Sequence, residues 1–346
     1  MEDLFKNKIK KKTVLIFEAN GFHFECLPGY SKYFIDLGYK IDILAESFGV
    51  SSFYLFNKIH KIRYFTYKNY KSFYKYYKNF TSFIKKYDFI LIQTADESHK
   101  PLYIQLNLFN LNNTIFVSHN LTVVKSHYSI FFNKNRIWTL GNFSSGLQVN
   151  PHYFGNTKIK EKNLKTIFFI TSTKHRNYKY FVNSLSKLHK DNLNFEIIVI
   201  GSKKFLKKKK IPKKLRRYFS FKYDTPYNEM YKLINKSDFI IVPFEPKNSY
   251  DNSFRTIKVS GSVQLGYGFL KPIIINKNFA EFYFLNNKNS LLYENNELYT
   301  IMKEAIKMNN KKYYYLQTNL KYTAGEIYKI SINNVKKTIN YINKNF

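Results

Sequence analysis

Residues 166–201 read TIFFITSTKHRNYKYFVNSLSKLHKDNLNFEIIVIG. Thr166–Ile170 is a short apolar run, and Phe195–Ile200 is another, stopped by Gly201. Between them Tyr178–His189 repeats apolar residues at helical spacing. Strands that are apolar nearly throughout, separated by an amphipathic helix, belong to a parallel sheet covered on both faces.

The rhythm continues in both directions. Toward the C-terminus it gives a short strand at Phe219–Lys222, a helix over Tyr227–Asn235, and a strand over Asp238–Val242 stopped by Pro243. A short helix over Ser260–Phe269, a strand at Pro272–Ile275, and helices over Glu297–Met308 and Glu326–Ile342 follow. Toward the N-terminus, Val14–Phe17, Ile41–Leu44, Asp88–Ile92 and Thr114–Val117 read as buried strands, with a helix from Pro28 to Leu37 and a Tyr/Lys-rich one over Arg63–Lys86. The glycines and proline between Gly141 and Leu164 break the alternation. The expected fold is therefore α/β: two Rossmann-like doubly wound domains facing each other across a cleft. The domains are 1–150 and 165–325, joined by a linker over 151–164, with a C-terminal helix over 326–346.

Composition bounds the function. The chain has 346 residues, room for two domains. A formal net charge of +34 has three readings: nucleic-acid binding, attraction to anionic lipid, or a proteome that uses Lys by default. The Lys residues are spread along the chain, and neither zinc-finger spacing nor an RRM signature is present, so nucleic acid is the weakest of the three. Lys207–Lys210 reads as a solvated loop. The single cysteine, Cys26, rules out an internal disulfide framework, fits a reducing compartment, and reads as half-buried and structural. The apolar run at Thr13–Phe17 is too short for a signal peptide or a membrane span. The expectation is a cytoplasmic protein that touches an anionic membrane surface from the inside.

In doubly wound sheets, ligands bind beyond the carboxyl ends of the strands. Five loops qualify. The first, after the first strand, holds Gly21, His23 and Glu25. His23 or Glu25 could take a proton from a hydroxyl, and Gly21 permits close backbone approach. The second holds His119 at a strand end. The third runs Thr171-Ser172-Thr173-Lys174-His175-Arg176-Asn177-Tyr178-Lys179. Hydroxyls at Thr171 and Ser172, with Lys174, Arg176 and Lys179 ahead of a helix, supply what a diphosphate needs. The fourth, Ser260-Gly261-Ser262, opens another helix and can cradle a phosphate on main-chain N–H groups. The fifth places Glu245 after a buried strand, where a carboxylate can hold a ribose or sugar hydroxyl. No H-E-x-x-H, D-x-D or Cys/His cluster marks a metal site, and the G-x-S-x-G and G-x-G-x-x-G patterns are absent. The expectation is no metal and no cofactor.

In order and spacing, Thr166–Lys307 resembles the GT-B glycosyltransferases, especially the family-4-like enzymes of bacterial surface polysaccharide (lipopolysaccharide and capsule) synthesis. Lys174 and Lys179 fall at the spacing of the Arg and Lys with which that family grips its donor diphosphate. Gly201 matches the glycine turn near the nucleotide base, and Ser260–Ile275 resembles the phosphate-facing helix and the strand after it. Asn289–Glu294 resembles the segment that closes the donor domain. His23–Tyr30 and His119 resemble, more loosely, acceptor-side elements.

The resemblance implies transfer of a sugar from a nucleotide-sugar co-substrate to a saccharide or lipid-linked acceptor. It also implies that the final helix crosses back to the first domain. One departure stands out: the retaining family-4 pattern has two glutamates separated by seven residues, and from Glu245 the second falls on Ser253. Rival readings are a two-domain sugar-nucleotide epimerase, a basic nucleic-acid-binding protein, and a scaffold that binds a donor without catalysis.

Overall fold

The structure, a computed structural model, describes residues 12–21, 23–67, 77–95, 108, 111–121, 133–171, 179–206, 211–294 and 297–345. The chain divides into two compact units, one of Met1–Asn156 with Ile327–Phe346 and one of Thr157–Glu326.

The first unit is built on β1 (Thr13–Phe17), α1 (Leu27–Asp36), β2 (Lys40–Glu46), β3 (Ile62–Tyr67), α2 (Tyr77–Ile84), β4 (Phe89–Ile92), β5 (Thr114–Ser118), β6 (Ile137–Thr139) and β7 (Leu147–Gln148). Its strands form one parallel sheet in the order β3-β2-β1-β4-β5-β6-β7. β1, β4 and β5 are buried end to end, as strands covered on both faces must be. β3 corrects the helical reading of Arg63–Lys86 over its first residues, Arg63–Tyr67, which are strand. The Arg63 guanidinium makes a two-pronged contact, 2.7 Å on each prong, with the fully buried Asp42 carboxylate on the neighbouring strand. The Tyr87 hydroxyl donates to the same carboxylate. Helical spacing of aromatics is the wrong guide for an edge strand that presents charged and aromatic side chains.

Cys26 is 1% exposed, fully buried where the sequence pointed to half-buried. Burial, then Glu25 and Glu18, pushes its thiol well above the ordinary range. The division between the units falls within the segment read as a linker. Residues 149–156 pack on the first unit: a Cβ at Gly29 of α1 would meet the Pro151 backbone at 2.5 Å, so only glycine fits there. The Tyr33 hydroxyl donates to Asn150 O at 2.6 Å.

The second unit contains β8 (Thr166–Thr171), α3 (Lys179–Lys190), β9 (Phe195–Gly201), β10 (Phe219–Tyr223), α4 (Tyr227–Lys236), β11 (Phe239–Val242), α5 (Ser249–Thr256), α6 (Gly261–Phe269), β12 (Ile273–Asn276), β13 (Ser290–Tyr293) and α7 (Leu298–Lys307). Its sheet is also parallel, in the order β10-β9-β8-β11-β12-β13. Phe168, Ile170, Ile197, Val199, Phe239 and Ile241 meet Phe181, Leu185 and Leu188 of α3 in the core.

The final helix α8 (Asn310–Asn345) has 36 residues and starts well before the expected Glu326. The unit boundary falls inside it. Gln317 Nε2 donates to Leu270 O in the second unit, and Trp138 Nε1 donates to Thr338 Oγ1 in the first. Among the described residues, no helix is long and apolar enough to cross a membrane. Lys207–Lys210 lies outside the described residues.

Candidate functional site

Each sheet reverses its strand order once, between β1 and β4 in the first unit and between β8 and β11 in the second. Chain segments leave these strand pairs toward opposite faces, which opens a crevice at their carboxyl ends.

In the first unit, Glu18 directly follows β1 and is fully buried. Its Oε2 accepts from Gln93 Nε2 at 2.7 Å and from Thr94 Oγ1 at 2.6 Å, both residues lying just past β4. Its Oε1 accepts from the Asn20 N–H, and Tyr67 donates its hydroxyl to the Glu18 carbonyl. A buried carboxylate is tolerated when hydrogen bonds replace its hydration in this way. Gln93 Nε2 also donates to His23 O at 2.6 Å. The amide orientation follows, since both partners only accept.

The His23 and His119 rings stack with centroids 4.0 Å apart and 25° between planes. His119 Nε2 lies 3.0 Å from Gln93 O, and His23 Nδ1 lies 3.6 Å from Glu25 Oε1. The structure thus brings His23, Glu25 and His119 together, although His119 comes from a different strand end. Gly21 is exposed in the same loop, and a Cβ there would meet Glu46 Oε2 at an ordinary 3.7 Å. Sequence reasoning singled out none of Glu18, Gln93 and Thr94. The available signal was a polar residue immediately after each of two apolar strands; that the two strands are neighbours is seen only in the structure.

In the second unit the third and fourth loops meet. Thr171 ends β8, and its Oγ1 is 2.6 Å from Ser262 Oγ in the first turn of α6. Ser260 is the N-cap of α6; its N–H donates to Tyr283 OH, and its Oγ, 1% exposed, has no partner among the described residues. Nothing lies within 4 Å of where a Gly261 Cβ would stand, so the approach to this helix end is open. Gly201 lies one residue beyond Ile200, the register partner of Thr171, and so borders the same strand ends. Lys179 opens α3 and is exposed. Ser172, Lys174 and Arg176 lie outside the described residues.

Glu245 follows β11 and lines a cavity of about 720 Å³ with Tyr180, Phe244, Lys247, Asn276 and Tyr293. Its N–H donates to the buried Asp251 carboxylate at 3.0 Å. The Tyr180 and Tyr293 rings stack across one wall, 6.4 Å apart. Burial raises the Tyr180 phenol, which accepts from the Leu298 N–H and stays neutral. Ser253, where a second glutamate would stand in the family-4 pattern, is on α5 and donates to Tyr250 O. The carboxylate in that segment is Asp251, and it holds backbone.

No protein-family model matches the chain. No curated protein matches it in sequence. Solved structures do match in fold. A glycosyltransferase from Rickettsia africae is 15% identical, covers 98% of this chain and 100% of its own, and superposes with a TM-score of 0.54. HepE from Anabaena, solved with UDP and glucose, is 12% identical, covers 95% and 100%, and gives 0.55. The same protein solved with UDP-glucose gives 0.52, at 12% identity over 94% of this chain and 98% of its own. The two parallel-sheet α/β units match the GT-B glycosyltransferase fold.

Proposed function

We propose that the protein is a glycosyltransferase that moves a sugar, of the hexosyl type, from a nucleotide-sugar donor to a hydroxyl of a saccharide or lipid-linked acceptor. The observation that carries this reading is the Thr171–Ser262 contact: it joins a strand end to a helix N-terminus at the point where the sheet reverses. A helix end flanked by hydroxyls, with an open approach at Gly261, suits a diphosphate. Ser172, Lys174, Arg176 and Lys179 would add hydrogen bonds and positive charge, and Gly201 would border the base. Glu245 would hold a ribose or sugar hydroxyl in the aromatic-walled cavity. The fold shared with glycosyltransferases, one of them solved with UDP-glucose, makes UDP the first nucleotide to test.

The reaction forms a bond from the acceptor oxygen to the anomeric carbon. The bond from that carbon to the diphosphate breaks, and its electron pair leaves on the diphosphate. The hydroxyl proton passes to the His23/His119 pair, with Glu25 beside it. The helix end and the cations would stabilise the departing charge, a task that divalent metal performs in other transferases. The net charge of +34 suits an acceptor held at an anionic membrane surface on the cytoplasmic side, as in cell-surface polysaccharide synthesis.

The test is thermal-shift binding of UDP, GDP, ADP and CMP to the wild type and Lys179→Ala, followed by transfer assays with and without EDTA. One nucleotide should stabilise the wild type and lose most of that effect in the variant. No shift with any nucleotide in a folded sample would sink the donor assignment. Loss of transfer in EDTA would overturn the metal-free reading.

A further inference from the structure

We propose that Phe48, Val50, Tyr54 and Ile59, with His60 and Lys61 at their edge, form the surface by which the first unit docks on an anionic lipid bilayer. Within Met1–Asn156, every large hydrophobic side chain that is exposed among the described residues lies in this stretch, and the four are between 46% and 52% exposed. Apolar side chains scattered singly over a surface need no explanation, whereas four within one short stretch are a cluster.

The backbone that carries them is fixed from the inside. Gly49, Ser52, Phe53 and Phe56 are buried. Ser52 Oγ donates to Gly49 O at 2.7 Å, and Ser51 Oγ donates to Phe48 O at 2.9 Å. The Phe53 ring meets those of Phe56 and Tyr64 edge-on at 5.5 and 6.3 Å, and the Phe56 ring meets Tyr153 at 5.8 Å. An apolar surface held on an ordered backbone gives up little conformational freedom when it is covered.

Charge identifies what covers it. From Ser47 to Tyr87 the chain carries eight lysines, one arginine and no aspartate or glutamate. Lys58 is paired with Asp36 at 3.3 Å and Arg63 with Asp42 at 2.7 Å. His60 and Lys61 are exposed directly beside Ile59. An apolar centre with a cationic edge matches the boundary between acyl chains and acidic headgroups. The net charge of +34 draws the chain toward such a surface before any side chain enters it.

The cluster is joined to the acceptor-side loop. It follows the carboxyl end of β2, and β2 lies beside β1, whose own carboxyl end leads into the loop of His23. The Phe48 ring is 6.4 Å from that of Phe24, the residue after His23, and a Cβ at Gly49 would meet Phe24 Cδ1 at 2.8 Å. A bilayer held on this surface therefore lies beside the His23/His119 pair. On the acceptor-side reading proposed above, on which this step alone rests, the acceptor is lipid-linked: its hydrocarbon stays in the bilayer and its hydroxyl reaches the histidines.

The experiment is co-sedimentation of the full chain with vesicles of phosphatidylcholine alone and of phosphatidylcholine mixed with phosphatidylglycerol. The wild type should sediment with the anionic vesicles and stay in solution with the neutral ones. Phe48→Ser/Ile59→Ser should lower partitioning at least about tenfold with Tm unchanged. Tyr314→Gln/Tyr322→Gln, which alters two exposed tyrosines of α8 in the second unit, should leave partitioning as it is. Phe48→Trp adds a readout of insertion: the chain's own single tryptophan, Trp138, is fully buried, so a blue shift of emission with anionic vesicles reports on position 48.

Equal partitioning of Phe48→Ser/Ile59→Ser and the wild type would overturn the proposal. So would Phe48→Trp emission that stays still while the protein sediments, since charge alone would then hold it. A dimer that forms without lipid and is lost in Phe48→Ser/Ile59→Ser would mean that a second copy covers the surface, and would also overturn it. Vesicle binding needs no donor, so failure to bind any nucleotide would count against the proposed function and leave the docking surface standing. Phe48→Ser/Ile59→Ser should lose more transfer to a lipid-linked acceptor in vesicles than to the same saccharide in water; equal loss on both would overturn the lipid-linked assignment.

Discussion

The β1/β4 crossover and the β8/β11 crossover occupy equivalent places in two sheets whose strand orders agree over six strands, the first sheet having a seventh, and the residues that follow them differ in kind. After β1 and β4 come Glu18, Gln93 and Thr94, a buried carboxylate with its donors, and the histidine pair above them. After β8 comes Thr171, bonded to Ser262 at a helix N-terminus. The first arrangement can orient a base, and the second can receive an anion. The shared sheet only decides where a site can be. Which chemistry occurs there depends on a few residues past each strand end, and these vary without disturbing the strands behind them.

The sharpest way to break this comparison is to place a carboxylate at the anion-receiving end. Gly261→Asp meets no atom within 4 Å, and an acid in the first turn of α6 is favourable for the helix. Tm should hold or rise. Affinity for the nucleoside diphosphate that stabilises the wild type should fall about 100-fold, because like charges set against each other cost several kcal/mol. Calorimetric titration reads both quantities on one sample. Equal affinity in the variant would remove the anion role from this helix end and leave the two crossovers without the contrast drawn here.

Most of the strands were legible because a strand buried on both faces leaves an apolar run in the sequence. Of the strands that were missed, Ser290–Tyr293 does leave a short apolar run and was read only as part of the segment that closes the donor domain, Ile137–Thr139 is three residues long, and the other two lack that mark. Ile62–Tyr67 lies at a sheet edge and mixes arginine with aromatics, and Leu147–Gln148 is too short to carry a pattern. The start of α8 was hidden differently: exposed Lys, Tyr and Asn mask a seam of Tyr313, Leu316, Leu320 and Ile327, which are buried at helical spacing. At the site, Thr171 and Ser262 were visible as hydroxyl residues in loops opening helices. Glu18 was not, because nothing in its local sequence shows that a carboxylate after a strand is buried and held by other residues. Its burial depends on Gln93 and Thr94, 75 and 76 residues away, and that pairing exists only once β1 and β4 are side by side.

The buried charges of the two units offer a second, smaller contrast. Asp42 in the first unit is matched by the Arg63 guanidinium, whereas Lys271 in the second, 3% exposed, donates to the Asn235 carbonyl. Burial lowers the Lys271 ammonium to about 8, despite the opposing pull of Asp238. An unfolded lysine titrates near 10.4. Below pH 8 the ammonium is charged in both states and its desolvation cost is present in full. Between about 8 and 10.4 the unfolded chain binds more protons, so this group makes stability rise with pH by on the order of 2 kcal/mol. Urea unfolding of the wild type and Lys271→Met should show the difference between their stabilities changing in that direction from about pH 7.5 to 10. A difference that is flat with pH would mean that the ammonium is solvated.

The smallest effects belong to the two halves of α8, where similar hydrogen bonds have unlike surroundings. Thr338 Oγ1 accepts from the buried Trp138 indole at 2.8 Å, so Thr338→Val keeps the side-chain shape and strands a buried N–H. That should cost about 1–2 kcal/mol, read as a lower urea midpoint with an unchanged slope. Gln317 Nε2 donates to Leu270 O, but its own Oε1 is buried with no partner among the described residues. Gln317→Leu therefore loses one hydrogen bond and also relieves one unpaired oxygen, and the two changes should offset to within about 1 kcal/mol. If Gln317→Leu proved the more costly of the pair, Oε1 would have to be bonded to buried water, and the helix would be held more firmly in the second unit than in the first.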